Sequence, residues 1–365
     1  MAEKNSQAIT IALDVMGADV GPEAIIDGGL RALRQIGDSL RLVLVGKAEV
    51  IQESVKGKFT LPENVTIRNA PHAVAMSDNA TEGVRNKKSS IAIGLAMHKA
   101  GEANAFVSAG NTGAVMASSL LTLGRIEGIS RPGIASFFPT AQGNPSLVMD
   151  VGANVDCKPI HLYQFGMMGS VYTSLMYGNT SPRIGLLSIG EERSKGNELI
   201  YQTRLLFDNS DLNFVGHIEG RDILMGEADV VVTDGFVGNV LLKFAESVEE
   251  FLTARIRKQI ETNVFSRMGA FLMAPFLRRL RRTFDYAESG GVPLLGINGV
   301  SIICHGSSSP KAIKNAVIVA VEMVRRQISH NIREELIINN GKNNGENDKQ
   351  QNNGDRVVRT STSAD

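Results

Sequence analysis

The chain has 365 residues, and its 38 Lys and Arg residues balance 38 Asp and Glu residues, so the formal net charge is zero. A neutral chain lacks the basic excess that phosphate contacts require, which excludes a protein that coats nucleic acid. The two cysteines are far apart and form no C-x-x-C pair. This spacing supports neither a disulfide framework nor a cysteine zinc site, and it indicates a reducing cytoplasm.

The amino terminus and the longest apolar runs bear on location. Residues 1–7 are polar and lack the apolar core of a signal peptide. No apolar run reaches the ~18 residues that a membrane helix requires. We therefore expect a cytoplasmic protein whose membrane contact is peripheral.

From residue 9 onwards, short apolar runs alternate with helix-length amphipathic stretches. The predicted buried strands are Ile9–Leu13, Leu42–Val45, Val65–Ile67, Ala105–Ser108, Leu147–Asp150, Ile184–Ile189, Asn213–Val215, Val230–Thr233 and Val300–Cys304. The clearest predicted helices are Pro22–Gln35, Ile91–Ala100, Thr112–Leu123 and Pro310–Gln327. Such alternation predicts βαβ units, and hence a mostly parallel sheet with helices on both faces.

Two stretches depart from the alternation. Between Asn239 and about Tyr286 there is no strand pattern, which predicts a protruding helical hairpin whose two helices join near Asn263–Met268. From Asn339 onwards, polar residues dominate, and such a segment buries too little apolar surface to offset its ordering entropy. We therefore predict one domain over residues 8–330, with residues 239–286 as a hairpin insertion and 339–365 as a disordered tail.

Six predicted strand-to-helix loops combine glycine with Asp, Asn, Ser or Thr. They are residues 14–22, 108–113, 150–154, 189–197, 234–239 and 305–308. Because ligands bind at the carboxyl ends of parallel strands, we expect these loops to converge at one sheet edge. Glycine permits close backbone approach, and helix starts attract anions. For any single loop, a helix N-cap is the simpler explanation of Asn111, Thr112 or Ser309, and Pro310 supports it for Ser309.

The motifs that the chain lacks narrow the chemistry. It has no G-x-x-x-x-G-K-[ST] loop and no G-x-G-x-x-G after the first strand, so the hypotheses of an ATP-type enzyme and of a dinucleotide-binding enzyme are both weakened. It also has no H-E-x-x-H helix and no G-x-S-x-G elbow, so neither a metalloprotease nor a serine hydrolase is indicated. What is left is a polar, glycine-rich pocket for a small anion.

The loops resemble the signature stretches of the phosphate acyltransferase family (PlsX type) of bacterial glycerolipid synthesis, in the same order from about Thr10 to Arg326. The motifs that carry the resemblance are LDVMGAD (Leu13–Asp19), SAGNTGA (Ser108–Ala114), MDVGAN (Met149–Asn154), PRIGLLSIGEE (Pro182–Glu192) with KGN (Lys195–Asn197), EGRDI (Glu219–Ile223), DGFVGNVLLK (Asp234–Lys243), PLLGINGV (Pro293–Val300) and HGSS (His305–Ser308).

The resemblance implies a three-layer α/β/α fold, isocitrate dehydrogenase-like and similar to phosphotransacetylases, working as a homodimer. It implies transfer of a fatty acyl group from acyl-acyl carrier protein to orthophosphate, with no metal or nucleotide cofactor. The acyl phosphate would then pass to a membrane-bound glycerol-3-phosphate acyltransferase at the inner face of the cell membrane.

Site roles follow as hypotheses from direct attack of phosphate on the thioester, which needs no enzyme nucleophile. We predict that a cradle for phosphate and the oxyanion is formed by Asn111, Thr112, Lys195, Asn197, Ser307 and Ser308. We predict that donors are oriented, or the leaving thiolate protonated, by Asp14, Asp234 or His305. Cys157 and Cys304 are expected to be packing residues, and Arg221 is expected to pair with Glu219 or Asp222.

The hairpin combines apolar and basic residues. The apolar stretch Met268–Leu277 has basic flanks. Between Phe251 and the end of the hairpin the sequence contains eight basic residues but only two acidic ones, Glu261 and Asp285. The cations are Arg255, Arg257, Lys258, Arg267, Arg278, Arg279, Arg281 and Arg282. This pattern favours contact with an anionic membrane or acidic carrier protein through Arg267, Phe271, Leu272, Arg278 and Arg279. The alternative is that Phe271, Leu272, Phe276 and Leu277 pack in a dimer interface.

Two classes of rival function stay open at this stage. One is a related enzyme, either a phosphotransacetylase that uses an acyl-coenzyme A or a decarboxylating dehydrogenase. The other is a non-catalytic membrane scaffold for acyl carrier protein, which would leave the six polar loops unexplained.

Overall fold

Most of the strands are short apolar runs whose side chains are buried on both faces of one sheet, and the two strands at its edges are partly exposed. The computed structural model describes residues 8–284 and 290–338. The strands within them are β1 Ile9–Asp14, β2 Leu40–Gly46, β3 Val65–Asn69, β4 Ala105–Ser108, β5 Gly133–Phe138, β6 Ser146–Met149, β7 Ile184–Leu187, β8 Phe214–Ile218, β9 Val230–Val232, β10 Val292–Leu295 and β11 Ser301–Ile303.

Helices fill most of the connections between strands. They are α1 Pro22–Ile36, α2 Ala48–Val55, α3 Ala80–Arg85, α4 Ser90–Lys99, α5 Thr112–Leu123, α6 Pro159–Tyr177, α7 Glu198–Asp208, α8 Gly220–Met225, α9 Gly235–Ile260, α10 Val264–Phe284, α11 Pro310–Arg325 and α12, residues 328–338. Several begin at the predicted signals. Ser309, for example, caps α11 by accepting the Ala312 N–H, with Pro310 at the first helical position.

Alternate residues of a strand pack into different helical layers. On β1, Ile11 and Leu13 join a core that includes residues of α1, α6, α11 and α12, whereas Ala12 joins a second core with residues of α4, α5 and α8. Because successive strand residues point to opposite faces, two cores imply helices on both sides of the sheet. The predicted three-layer α/β/α fold with a mostly parallel sheet is confirmed.

The sheet consists of two parallel runs that point in opposite directions. Its strand order is β3-β2-β1-β4-β11-β10-β5-β6-β9-β7-β8. Strands β3, β2, β1, β4 and β11 are parallel, and so are β6, β9, β7 and β8. The three pairings between these runs are antiparallel. Strand β10 joins them, because Val292 and Pro293 pair with β11 while Leu294 and Leu295 pair with β5.

The reversal corrects the expectation that six loops meet at one edge of the sheet. Strands β5 and β10 are absent from the predicted strands, and both take part in the antiparallel pairings that invert the direction. The carboxyl ends of the two parallel runs consequently do not share an edge, and the six loops fall into two groups.

The predicted helical hairpin is present as α9 and α10, although its bounds differ from the prediction. Helix α9 begins at Gly235 rather than Asn239, and the helices join over residues 261–263 rather than near Asn263–Met268. Only Gly235 and Gly238 of α9 are buried, so the hairpin projects from the domain. No helix among the described residues is long and apolar enough to cross a membrane. Tyr286 and the predicted tail, 339–365, lie outside the described residues.

Candidate active site

The candidate site residues lie in two clusters of loops. The first loop cluster follows β1, β4 and β11 and comprises residues 14–21, 108–111 and 304–309. The second loop cluster follows β6, β7 and β9 and comprises residues 150–154, 188–197 and 233–234. Within the first cluster, the Asp19 N–H donates to the carbonyl oxygen of Gly306 at 2.9 Å, which joins the β1 and β11 loops.

Asp14 is the buried carboxylate of the first loop cluster, with 1% of its surface exposed. It accepts hydrogen bonds from the Met16 N–H at 2.9 Å and from Ser108 Oγ at 2.7 Å. Ser108 Oγ in turn accepts the Gly110 N–H at 3.1 Å. Burial raises the pKa of Asp14 to about 6, against the opposing effect of hydrogen bonds from Met16, Ser108 and Ser90. As a residue that orients donors or protonates the thiolate, Asp14 stays a prediction.

Asn111 is occupied by contacts within the protein. Its Oδ1 caps α5 by accepting the Ala114 N–H at 3.0 Å. Its Nδ2 faces three backbone carbonyl oxygens, those of Ala75 at 3.4 Å, Met76 at 3.1 Å and Asp78 at 2.8 Å. Both ends of the amide are therefore engaged, and Asn111 fastens loop 75–78 to the start of α5.

The loop after β11 contains His305, Ser307 and Ser308. His305 Nδ1 accepts the Ser307 N–H at 3.2 Å and lies 2.7 Å from Ser307 Oγ. Since the backbone N–H can only donate, Nδ1 is unprotonated and Ser307 Oγ is the donor. Ser308 is buried, and its Oγ has no hydrogen-bond partner among the described residues. A buried hydroxyl group without a hydrogen-bond partner lowers the stability of the fold. This one lies next to the start of α11.

Three further predicted site residues lie at helix starts. Asp234 Oδ1 caps α9 by accepting the Val237 N–H at 2.8 Å, and Asn197 Oδ1 caps α7 by accepting the Ile200 N–H at 3.0 Å. Thr112 is the exposed first residue of α5. The caps hold these residues at dipole ends that favour anions, and Nδ2 of Asn197 is left to donate. As phosphate ligands, Thr112, Asn197, Ser307 and Ser308 stay predictions.

Lys195 lies on an exposed turn of the second loop cluster. Its backbone N–H donates to the carbonyl oxygen of Glu192 at 3.0 Å, and Gly196 follows with a φ of +107°. Within residues 8–284 and 290–338, the Lys195 ammonium makes no hydrogen bond or ion pair. Lys195 therefore offers an ammonium group without an ion-pair partner among the described residues to an incoming anion.

Asp150 organises the second loop cluster and is not among the predicted site residues. It is fully buried, and its Oδ1 accepts the N–H groups of Ile134, Gly152 and Ala153 at 3.0–3.2 Å. Its Oδ2 accepts the N–H and Nδ2 of Asn154 at 2.7 and 2.9 Å. Burial raises the pKa of Asp150, and these hydrogen bonds oppose that rise. Its position at the end of β6, like that of Asp14 at the end of β1, is the signal that could have identified it.

The residues predicted to be structural have the expected surroundings. Cys304 is buried, and burial raises the pKa of its thiol to about 12. Cys157 is half-buried with a thiol pKa raised to about 11, chiefly by burial. Neither thiol is an available nucleophile at neutral pH. Arg221 lies 3.2 Å from Glu219 and 3.7 Å from Asp222, which confirms the predicted ion pairing.

Several buried polar side-chain atoms have no hydrogen-bond partner within the described part of the chain. Among the described residues, the buried side-chain atoms without a hydrogen-bond partner are Ser118 Oγ, Thr173 Oγ1, Ser188 Oγ, His217 Nε2 and Ser308 Oγ. Ser188 and His217 lie on the neighbouring strand ends beneath loop 189–197, and neither is among the predicted site residues.

The hairpin exposes apolar side chains on both helices. On α10, Phe271 and Leu272 are 81% and 77% exposed, and Arg267 is exposed beside them. Arg278 and Arg279 belong to the same helix, but their side chains lie outside the described residues. On α9, exposed apolar residues recur every three or four positions, at Val237, Val240, Phe244, Val248 and Phe251. That spacing forms one continuous stripe along the helix.

Comparison with known proteins places the chain among relatives of similar length. A family model described as a fatty acid synthesis protein matches residues 9–331. Phosphate acyltransferase from Citrifermentans bemidjiense is 46% identical over 327 residues, covering 89% of this chain and 92% of the relative. Phosphate acyltransferase from Desulfitobacterium hafniense is 47% identical over 328 residues, covering 89% of this chain and 97% of the relative.

Solved structures share the fold at low sequence identity. A phosphotransacetylase from Streptococcus pyogenes superimposes with a TM-score of 0.59 at 17% identity, covering 87% of this chain and 94% of that one. A phosphotransacetylase from Staphylococcus aureus gives a TM-score of 0.56 at 15% identity, with the same coverage. These likenesses support the α/β architecture described above.

Proposed function

The chain belongs to the phosphate acyltransferase family, and from this premise we propose that it transfers a fatty acyl group from acyl-acyl carrier protein to orthophosphate for phospholipid synthesis. The observation that carries the proposal is 46–47% identity, over nearly nine-tenths of the chain, to proteins named phosphate acyltransferase. Acyl transfer to phosphate follows from this kinship. The carrier-protein donor and the phospholipid product are what the family resemblance of the motifs implies.

The thiol chemistry supports direct attack by phosphate. A phosphate oxygen bonds to the thioester carbonyl carbon, the carbon–sulfur bond breaks, and the thiolate leaves with the electron pair and takes up a proton. Both cysteines of the chain are protonated at neutral pH because burial raises their thiol pKa values. Neither is needed as a nucleophile, since the enzyme only has to orient phosphate and stabilise the oxyanion.

Available cations favour the second loop cluster for holding phosphate. The segments that make up the first cluster contain no Lys or Arg, whereas loop 189–197 contributes Arg193 and Lys195 beside Glu191 and Glu192. Lys195 has no competing partner among the described residues, and the capped start of α7 lies two residues beyond it. Asn197 Nδ2 and the first N–H groups of α7 supply directed donors beside the ammonium.

The activity is tested by mixing the purified protein with palmitoyl-acyl carrier protein and orthophosphate, without nucleotide or added metal, and following release of the carrier thiol. We expect release that depends on phosphate, with acyl phosphate as product. A parallel reaction with palmitoyl-coenzyme A tests the donor. Faster turnover of the coenzyme A thioester would overturn the carrier-protein proposal, and no turnover of either thioester would overturn the function.

The α9 stripe supports a homodimer. Five apolar side chains on one face of a projecting helix are unpartnered within the described chain. A second copy would cover this face with an equivalent stripe, as expected for a two-fold interface. Light scattering should therefore give a mass twice the 39.2 kDa of one chain. A monomer at micromolar concentration would contradict this assembly.

The exposed face of α10 supports peripheral binding at the inner face of the cell membrane. Phe271 and Leu272 can enter the headgroup region while Arg267 pairs with anionic lipid. We expect Phe271→Asp combined with Leu272→Asp to lower flotation with phosphatidylglycerol vesicles by about tenfold or more, because each large apolar side chain gains ~1.5–3 kcal/mol on burial.

Leu121→Asp provides the control for this experiment, because Leu121 is 66% exposed and belongs to α5 rather than to the hairpin. It should float like the wild type. Light scattering on the double variant separates the two uses of the hairpin. Unchanged flotation together with loss of the dimer would place Phe271 and Leu272 in the subunit interface instead.

A further inference from the structure

Two buried side chains donate hydrogen bonds to the backbone of loop 189–197. His217 Nδ1 donates to the carbonyl oxygen of Glu192 at 3.2 Å, and Arg204 Nη1 donates to the next carbonyl oxygen, that of Arg193, at 3.4 Å. His217 and Arg204 are only 7% and 8% exposed, whereas residues 191–198 are all exposed. The loop therefore lies at the surface, and its backbone is fastened to groups in the interior.

The carbonyl group of Glu192 links His217 directly to Lys195. It accepts the His217 Nδ1–H and also the backbone N–H of Lys195 at 3.0 Å. The second bond closes a turn from Glu192 to Lys195, so the carbonyl oxygen that His217 holds is the one that orients the Lys195 backbone. A displacement of this carbonyl group moves the base of the lysine side chain.

The partners of His217 and Arg204 define their states. Because a carbonyl oxygen only accepts, His217 Nδ1 carries the proton, and the buried Nε2 has no hydrogen-bond partner among the described residues. Burial is the main cause that lowers the pKa of His217, which keeps the ring neutral at neutral pH. Arg204 lies 3.3 Å from Asp208 on α7, so its charge is matched and its direction is fixed.

Both ends of the loop are also defined. The Ser188 N–H donates to the Ile218 carbonyl oxygen at 2.9 Å, which extends the β7–β8 pairing to the residue just before the loop. At the other end, a Cβ on Gly196 would lie 3.1 Å from Ser188 Oγ. The two ends of the loop therefore approach each other closely. Between them, His217 and Arg204 bind the carbonyl groups of Glu192 and Arg193.

We propose that His217 and Arg204 are positioning residues. By fixing the backbone of the loop, they keep the Lys195 ammonium group where it binds phosphate. Neither side chain touches the substrate. Each acts through a backbone carbonyl group of loop 189–197. The proposal rests on the proposed function, in which Lys195 binds phosphate, and it assigns that binding site a buried support that the family motifs do not include.

The test compares two substitutions at His217. In His217→Asn, the side-chain Nδ2–H takes the position of Nδ1–H, whereas His217→Leu keeps the bulk and removes the donor. We expect His217→Leu to raise the KM for phosphate about tenfold with an unchanged KM for the acyl thioester, and His217→Asn to stay within about threefold of the wild type. Hydrogen exchange should show faster exchange of the amides of residues 189–197 in His217→Leu only.

The outcomes separate this proposal from the proposed function. Absence of wild-type turnover would overturn the function, and the exchange measurement would still report on the support. Wild-type turnover with an unchanged phosphate KM in His217→Leu would overturn the positioning role. Equal losses for both substrates in the leucine and asparagine variants would indicate a general structural role and would also overturn it. If His217→Leu does not fold, Arg204→Lys, which retains a cation opposite Asp208, is measured in its place.

Discussion

Replacement of Gly238 by alanine is expected to lower the free energy of unfolding by about 3 kcal/mol or more. A Cβ at this position would lie 1.9 Å from the carbonyl oxygen of Asp150 and 3.0 Å from the Cα of Val151. Both atoms belong to the backbone, which five hydrogen bonds to the Asp150 carboxylate hold in place. Helix α9 would have to move away, breaking the hydrogen bond from the Gly235 N–H to the Asn154 carbonyl oxygen.

Urea denaturation followed by circular dichroism measures this effect. The matched control is Gly269→Ala on α10, where a Cβ would meet nothing within 4 Å. Since alanine favours a helix over glycine by roughly 0.5–1 kcal/mol, the control should be neutral or slightly stabilising. If the two variants unfold at the same urea concentration, close packing of α9 on the Asp150 loop does not contribute to stability.

Lys195→Ala is expected to lower kcat/KM for phosphate by about 100-fold or more, because one well-placed donor to a developing charge is typically worth that factor or more. The residue is exposed and forms no ion pair within the described residues, so its removal should not alter folding. Initial rates of thiol release at varied phosphate, together with a melting curve, separate the loss of activity from a loss of stability. Lys195→Arg should recover part of the activity, since charge is kept and geometry changes.

Lys56→Ala serves as the control for Lys195, because Lys56 is an exposed lysine at the end of α2, remote in sequence from both loop clusters. It should have wild-type kinetics. Full activity in Lys195→Ala would show that phosphate is held elsewhere. The first loop cluster, with the orphaned Ser308 hydroxyl, would then be the next candidate.

The strands and helices were largely predictable because their signals are local. Apolar runs bounded by glycine and polar residues predict most strands within a few residues, and Ser309 with Pro310 predicts the start of α11. Strand direction is not local, and β10 also contains Pro293, which argues against a central strand. One overlooked signal concerns β5 and β6. Only seven residues, 139–145, join them, too few for a parallel crossover.

The site was predictable only as a set of residue types at strand ends. Asn111 was recognised as a possible cap, and its cap is confirmed. Its Nδ2 contacts could not be predicted, because their acceptors lie 33 to 36 residues earlier in the chain. His217 shows no local signal for the same reason, since its partner Glu192 is 25 residues away. Long-range contacts decide which polar side chains are available to a substrate.

The nested order of the sheet affects the sequence of events during synthesis. The amino-terminal half of the sheet contains β1 to β4, and the other half contains β5 to β9. Strands β10 and β11 and helix α11 come last in the sequence, and β11 completes the amino-terminal half. Strand β11 pairs with β4, and α11 packs on α1. The edge of β4 therefore stays unpaired until β11, in the last fifth of the described chain, has left the ribosome. The inner half, whose contacts are closer in sequence, can fold earlier. Completion of the amino-terminal half is therefore a late event in the biogenesis of this protein.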